Sequence, residues 1–460
     1  MSVKSLHAAM NDCLEYDDRT LRDFLPHDVD VRLLRPVSCA MPVGDPAAAL
    51  AHTLDEPIGT LSLREMVDLH YRPGMHVLIL VDDNTRPNIH TRILLPPLRD
   101  VLRSYDVADD DVQIMVASGT HRPPTEEEVA RTILTPELAR DFHGRVFVHD
   151  CDRDNERIGT TRSGTPVWLD RRLLAASLVI PLTDSEFHYF AGQAGTVKSL
   201  CPGTAGRETI QVNHARMFHP EHGFMPECRL ANINDNPVFQ DIMDIARMAA
   251  ERVPVFGVDA VMDCGHIVHL AAGELGALHS AAAPVLEGLR VVDVERPGDI
   301  VVVSAAAQGI NLYQAVKAVH CGWNAVRKDG RGRIVVIAPC SDGVGNEAFS
   351  ETMSAVAGLP PREAMRKVIT ERCGPDVFRI GNQKPVDLLR TIDTVGEGSI
   401  NLLTEMDPRK LEGVFRLVAI PAGEDPAAAL REALEGFASE YERPLIYLLE
   451  DPSVLVRITP

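Results

Sequence analysis

The residues most suited to chemistry lie in one stretch, Phe187 to His214, reading FHYFAGQAGTVKSLCPGTAGRETIQVNH. Lys198 sits near its centre, flanked by His188 on one side and His214 on the other, among Gly192, Gly195, Gly203, Gly206 and Pro202. Glycine-dense backbone can approach a bound group closely and leaves amides free to meet anions. A lysine in that setting can clamp a phosphate, form a Schiff base or carry a covalently attached cofactor. The plainer alternative is a surface loop with one solvated lysine.

Further groups suit the same chemistry. In DDNTRP, Asp82 to Pro87, Arg86 can grip a carboxylate or phosphate with two parallel hydrogen bonds, and Asp83 can accept from a hydroxyl or orient a neighbour. An Asx-turn with a surface arginine is the alternative. In SGTHR, Ser118 to Arg122, His121 titrates near neutrality and suits general acid–base work, unless it merely packs within its loop. In YQAVK, Tyr313 to Lys317, helical spacing sets the Lys317 ammonium beside the Tyr313 phenol and the Gln314 amide, which suits an anion; a solvated helix face competes. Pro339–Glu347, PCSDGVGNE, reads as a strand-end loop or a plain glycine turn. His149 reads as structural, and His143, His219, His222 and His279 lack supporting context.

These groups need elements to position them. His76–Val81 is a continuous apolar run, as expected of a parallel strand buried on both faces. Val112–Val116, Val146–His149 and SLVIPL at 177–182 repeat the pattern. A helix is expected from about Pro97 to Ser104, with proline in its first turn, and another from Thr125, where Glu128 completes a capping box. Asp235–Ala250 reads as a helix and Val253–Val261 as a strand, and Gly273–Leu289 as a crossing to a second domain. A new series follows, with strands at Asp299, in RIVVIAP and at Pro444–Leu449, and helices from Asn311 and over Ala427–Glu440. The fold class is therefore α/β, with two domains, each a mostly parallel sheet flanked by helices. Residues 1–285 form the expected N-terminal domain and 286–440 the C-terminal one, with 441–460 packing back on the first. DDNTRP, SGTHRPP and DSEFHYFAG all follow strand carboxyl ends, where open sheets gather ligands. Together the groups describe an interdomain cleft lined by His121, His188, Arg86 and Lys317.

Composition narrows the function classes. At 460 residues the chain exceeds one compact core. A net charge of −20 argues against nonspecific binding to nucleic acid or acidic membrane, yet leaves room for an anionic small substrate in a locally basic cleft. Nine cysteines without a CxxC pair read as reduced cytoplasmic thiols, with no disulfide frame or structural zinc site. No secretory leader and no membrane span are expected. Neither GxGxxG nor GxxxxGK[ST] occurs, and Lys198 lies in GTVKS instead.

DDNTRP, SGTHRPP, HYFAGQAGTVKSLCPG with Asn213–His214, YQAVK and APCSDGVGNE occur in this order over residues 82–347. In these pieces and their spacing the chain resembles the nickel-pincer nucleotide-dependent lactate racemase family of 2-hydroxy acid racemases and epimerases. The resemblance implies that Lys198 carries the cofactor, nickel pyridinium-3,5-bisthiocarboxylic acid mononucleotide, through a covalent thioamide-type link, and that His214 ligates the nickel. It makes His121 and His188 the acid–base pair on opposite sides of the substrate. Arg86 and Lys317 orient a small anionic 2-hydroxy acid, Tyr313 and Gln314 shape the cofactor and substrate site, and Asp83 helps hold the cofactor. The implied reaction inverts C2 by proton-coupled hydride transfer through a planar 2-keto acid. Cofactor-biosynthesis proteins are implied partners, and a homo-oligomer is compatible with all of this. AGQAGTVKS departs from many relatives at Gln193, Thr196 and Val197. Lactate, malate and sugar acids all stay open as substrates. A nicotinamide-dependent hydroxy-acid dehydrogenase is the alternative enzyme, opposed by the missing fingerprint. A non-catalytic hydroxy-acid-binding protein is opposed by Lys198, His121, His188 and His214 occurring together.

Overall fold

The computed structural model describes residues 14–17, 19–27, 29–36 and 40–459. Two six-stranded sheets organise them. The first runs, edge to edge, His266–Gly273, Gly257–Asp263, Leu178–Asp184, Val77–Asp82, Val112–Ala117, Val146–Val148. All neighbours are parallel except the hairpin at the His266–Gly273 edge. The second sheet is parallel throughout, in the order Val418–Pro421, Ile400–Thr404, Arg333–Ile337, Ile300–Ser304, Leu445–Leu449, Asp30–Leu33.

The apolar runs form strands because helices cover both of their faces. Along Val77–Asp82 the side chains alternate between two cores. Val77, Ile79 and Val81 join one cluster with Leu94, Leu98 and Leu102 of the helix Ile89–Ser104. Leu78 and Leu80 face a cluster that continues through Phe190, Phe224 and Phe378 to Val301 and Val336 of the second sheet. One apolar core therefore ties the two sheets together.

Several elements differ from expectation. The helix expected from Pro97 begins at Ile89, so Pro96 and Pro97 lie inside it. Internal prolines forfeit backbone hydrogen bonds; the buried face of His90, Thr91, Leu94, Leu95, Leu98 and Leu102 offsets that loss. The capping box at Thr125 forms, but it opens a helix of only Glu126–Glu128, which passes into a wider turn over Val129–Ile133. Gly273–Leu289 is mostly the helix Leu275–Arg290, which stands in the chain between His266–Gly273 of the first sheet and Ile300–Ser304 of the second; its Ala282, Leu286 and Leu289 pack on Val261 of the first sheet. Segment 441–460 pairs through Leu445–Leu449 with Asp30–Leu33, inside the second sheet. No described helix is long and apolar enough to cross a membrane.

Candidate active site

The chain leaves the Val77–Asp82 strand outward through Val112–Ala117 and Val146–Val148, then returns to its other side with Leu178–Asp184. The crevice between strands whose connections diverge is where open parallel sheets bind ligands. Asp82 and Asp184 end those two strands, and buried His90 lies between them, its Nε2 3.5 Å from Asp82 Oδ2 and its Nδ1 3.8 Å from Asp184 Oδ1. Burial, then the Asp184 charge, pushes the Asp82 carboxyl well above the carboxylate range. Burial likewise holds His90 below its ordinary value.

One residue on, Asp83 is buried and turns to His121. The His121 Nδ1 lies 2.6 Å from Asp83 Oδ2, while Asp83 Oδ1 accepts from the Thr85 amide at 3.0 Å. Burial alone would raise the Asp83 carboxyl; the His121 and Thr85 hydrogen bonds outweigh it and hold it low. An ionised carboxylate only accepts, so Nδ1 of His121 carries a proton, and in the neutral ring Nε2 is the nitrogen with the lone pair. The loop bearing His121 is anchored to the lysine loop, since the Gly119 amide donates to the Gly203 carbonyl at 3.0 Å. A side chain at Gly119, where φ is +54°, would press on the Pro202 carbonyl oxygen at 3.2 Å.

Lys198 lies in the short helix Thr196–Leu200. Burial, then the Arg86 guanidinium, lowers its ammonium to about 7, against a partial pull upward from Asp82. A substantial fraction of the amine is therefore neutral and nucleophilic near pH 7. The hydroxyls of Thr196 and Ser199, on either side of it in sequence, are buried without partners. The loop before it is held by Gln193, whose Nε2 donates to Ser185 Oγ at 3.3 Å and to the His279 carbonyl at 3.4 Å, and by the Val197 amide donating to His279 Nε2 at 3.4 Å. Gln193 and Val197 thus hold the loop on His279, a residue without context in the sequence.

His214 lies in the last turn of the helix Arg207–Ala215. Asn213 Nδ2 donates to the Val238 carbonyl at 3.1 Å and to Asp241 Oδ2 at 2.9 Å, which leaves Asn213 Oδ1 facing His214 Nδ1 at 3.0 Å as an acceptor. The His214 proton is thereby fixed on Nδ1, and Nε2 presents a lone pair. Burial, then the charges of Lys198 and His121, lowers this imidazole to about 3, so it stays neutral.

His188 is built differently. It sits in the two-residue strand Phe187–His188, paired with Gly192–Gln193, and its Nδ1 accepts from the Ala191 amide at 3.2 Å. The neutral ring then carries its proton on Nε2. Burial, then Lys198, Arg86, His214 and Lys317, holds it well below its ordinary value. Lys317 belongs to the helix Leu312–Ala325, which follows a second-sheet strand and is capped by Asn311, whose Oδ1 accepts from the Gln314 amide at 3.0 Å. Burial, then Arg86, lowers Lys317 to about 8. Both sheets therefore contribute charge to this neighbourhood. Arg86 ion-pairs with Glu186. The Pro339–Glu347 loop buttresses the helix start, its Gly343 and Val344 carbonyls accepting from the Leu312 and Tyr313 amides.

Comparison with known proteins shows the family. A model of the lactate racemase N-terminal domain matches residues 16–224, and one of the lactate racemase C-terminal domain matches residues 294–375. The lactate racemase of Thermoanaerobacterium thermosaccharolyticum is 30% identical over 324 residues, covering 69% of this chain and 71% of that one. The chain belongs to the lactate racemase family. It is thus an isomerase of the lactate racemase family, and the lactate racemase of Lactiplantibacillus plantarum is likewise 30% identical, over 320 residues, covering 69% of this chain and 71% of that one. The solved lactate racemase apoprotein from T. thermosaccharolyticum aligns with a TM-score of 0.80 at 25% identity, covering 96% of this chain and 99% of that one. A Thermotoga maritima protein shares the fold at a TM-score of 0.61 and 17% identity, covering 91% of this chain and all of that one.

The structure brings together Arg86, His188, Lys198, His214 and Lys317 through mutual electrostatics, with His121 on Asp83 at the edge. His149 is structural, bonded to Asp170 and the Ala205 carbonyl. The sequence reading missed Glu186, Asp184, His90, Asp241 and the orienting role of Asn213. Only Asn213 carried a signal, by preceding His214 directly.

Proposed function

We propose that this chain is a racemase or epimerase of 2-hydroxy acids that uses a covalently held nickel-pincer nucleotide. The observation supporting it most is the donor set around Lys198: an amine lowered to about 7 and a neutral imidazole at His214 with its tautomer fixed and one ring nitrogen free. A lysine-attached, nickel-bearing group needs just such an amine and such a nitrogen ligand. Lys198 would attach the group and His214 would ligate its nickel. When bound, the group supplies an acceptor for the C2 hydrogen as hydride, so no carbanion forms beside the substrate carboxylate.

The protein's own groups do the rest. Arg86 and Lys317 bind the substrate carboxylate, and Glu186 yields Arg86 to it. His121 takes the hydroxyl proton at Nε2, its Nδ1–H anchored on Asp83; Asp83 thus orients the base. His188 presents Nε2–H as a donor on the other side, and it exchanges tautomer when it must accept. Tyr313 and Gln314 shape the wall beside Lys317.

The test is a chiral assay of enzyme purified from cells that make the cofactor, across lactate, malate and aldonic acids, with nickel analysis and peptide mass. Expected results are interconversion at C2, bound nickel, added mass on the Lys198 peptide, and loss of all activity in Lys198→Ala. An active enzyme with unmodified Lys198 would sink the reading.

A further inference from the structure

The helix Gln383–Val395 brings one charged side chain to this neighbourhood that no part of the reaction above uses. Lys384 is 2% exposed. Its Nζ lies 5.0 Å from the Tyr189 ring centroid and 5.7 Å from that of Tyr313, and it has no hydrogen-bond partner. The Tyr189 hydroxyl is also buried without a partner at hydrogen-bonding geometry, although the Gln383 carboxamide acts on both phenols. Tyr189 adjoins His188 in sequence, and Tyr313 stands one helical turn before Lys317.

Both unpartnered groups are donors, and they flank the same wall of the site. Burying an ammonium without a hydrogen-bond acceptor is costly, so an anion that accepts from it is the chemistry that completes it. Asp387, one turn along the helix, gives its Oδ1 to Arg390 at 2.8 Å and faces His320 with it at 3.1 Å; its Oδ2 is buried without a hydrogen-bond partner, and the Lys384 Nζ is turned to the phenols and makes no hydrogen bond to it. The substrate's first carboxylate is matched by Arg86 and Lys317. A second, separate cation calls for a second anionic group on the same molecule. Burial, then Lys317, lowers the Lys384 ammonium to about 7, against an upward pull from Asp387, so an arriving carboxylate also favours its charged form.

Resting on the racemase reading above, we infer that the substrate is a 2-hydroxy dicarboxylate whose distal carboxylate is bound by Lys384 and the Tyr189 hydroxyl. Lys384 is then the residue that distinguishes a dianionic from a monoanionic hydroxy acid. Glycine-rich loops and Arg86 read the reacting end; Lys384 reads the far end.

The experiment compares malate with lactate in the nickel-loaded enzyme, as kcat/KM for racemisation, and in calorimetric binding to the same protein. The wild type is expected to prefer malate in both. Lys384→Met is expected to lower the malate-to-lactate ratio about 100-fold, as truncating a buried charge partner does, while its thermal midpoint stays at or above that of the wild type. Tyr189→Phe serves as the second variant and lowers the ratio about tenfold through loss of one hydrogen bond to a charged group. An enzyme that racemises lactate but neither turns over nor binds malate overturns the inference and leaves the racemase reading standing. So does a Lys384→Met enzyme with an unchanged ratio and a lowered thermal midpoint, the outcome of a purely structural lysine. Malate binding that depends on Lys384, in a nickel-loaded enzyme that racemises no 2-hydroxy acid, supports the dianion site and overturns the racemase reading instead.

Discussion

The two histidines offered as acid and base stand in opposite surroundings. The His121 side chain is half exposed and leans on a buried carboxylate, Asp83, through Nδ1. His188 is partly buried, leans on a backbone amide through the same ring atom, and has Lys198, Arg86, His214 and Lys317 around it. The first arrangement leaves a lone pair at Nε2 and a counter-ion ready for an imidazolium. The second leaves a proton at Nε2 and no counter-ion for a second one. Two residues of one type are thus prepared as a base and a donor by their hydrogen-bond partners. Catalysis in both directions then requires the pair to exchange states.

The largest test of this contrast is removal of each ring. His121→Ala and His188→Ala should each lower racemisation by about 10²–10⁴-fold. Single-turnover formation of the 2-keto acid from each enantiomer separately should show which ring serves which face; identical losses in the two variants would erase the contrast. Asp83→Asn should cost roughly 10²-fold by loosening the His121 tautomer and counter-charge. It should leave the His188 ring unaltered in nitrogen NMR, whereas a shift at His188 would couple two sites drawn as separate. A smaller effect is expected at the metal side. Asn213→Leu removes the acceptor that fixes the His214 proton and should weaken nickel retention about 10-fold, read by metal content after chelator dialysis. The least disruptive measurement is the titration of His188 in the apoprotein. Its folded value lies below the ordinary one of about 6.5, so the ring should stay neutral as pH falls through that value and gain its proton only at lower pH. A normal titration would mean that the surrounding cations do not act on it.

The strands were legible because a parallel strand buried on both faces is a plain apolar run, and Val77–Asp82 and Ile300–Ser304 are such runs. Chemistry placed at strand ends by loops was legible for the same reason. The Ile89–Ser104 helix was misjudged at its start because Pro96 and Pro97 suggest a beginning, and only the tertiary burial of His90 and Leu94 outweighs that local signal. Asp83 was legible as an acceptor or as a residue that orients a neighbour, but that the neighbour is His121 is a pairing across 38 residues that no spacing announces. Lys384, His279 and Asp241 are isolated in sequence. Each gains meaning only from what folding sets against it: two phenols, the Val197 amide, and the Asn213 carboxamide.

One feature of the second sheet bears on how the chain is made. Leu445–Leu449 lies between Ile300–Ser304 and Asp30–Leu33, and Arg35 pairs with Glu450 across 415 residues of chain. The ribosome delivers Asp30–Leu33 long before Leu445–Leu449, its only ladder neighbour among the described residues. The early strand must wait, with unpaired amides and carbonyls, while the first sheet and most of the second assemble. A nascent chain halted before residue 445 exposes this edge together with that of Ile300–Ser304, two templates for pairing with another chain. Synthesis of Leu445–Leu449 is thus also the event that fastens Asp30–Leu33, and chains cut short before residue 445 should aggregate through the second sheet while the first stays folded.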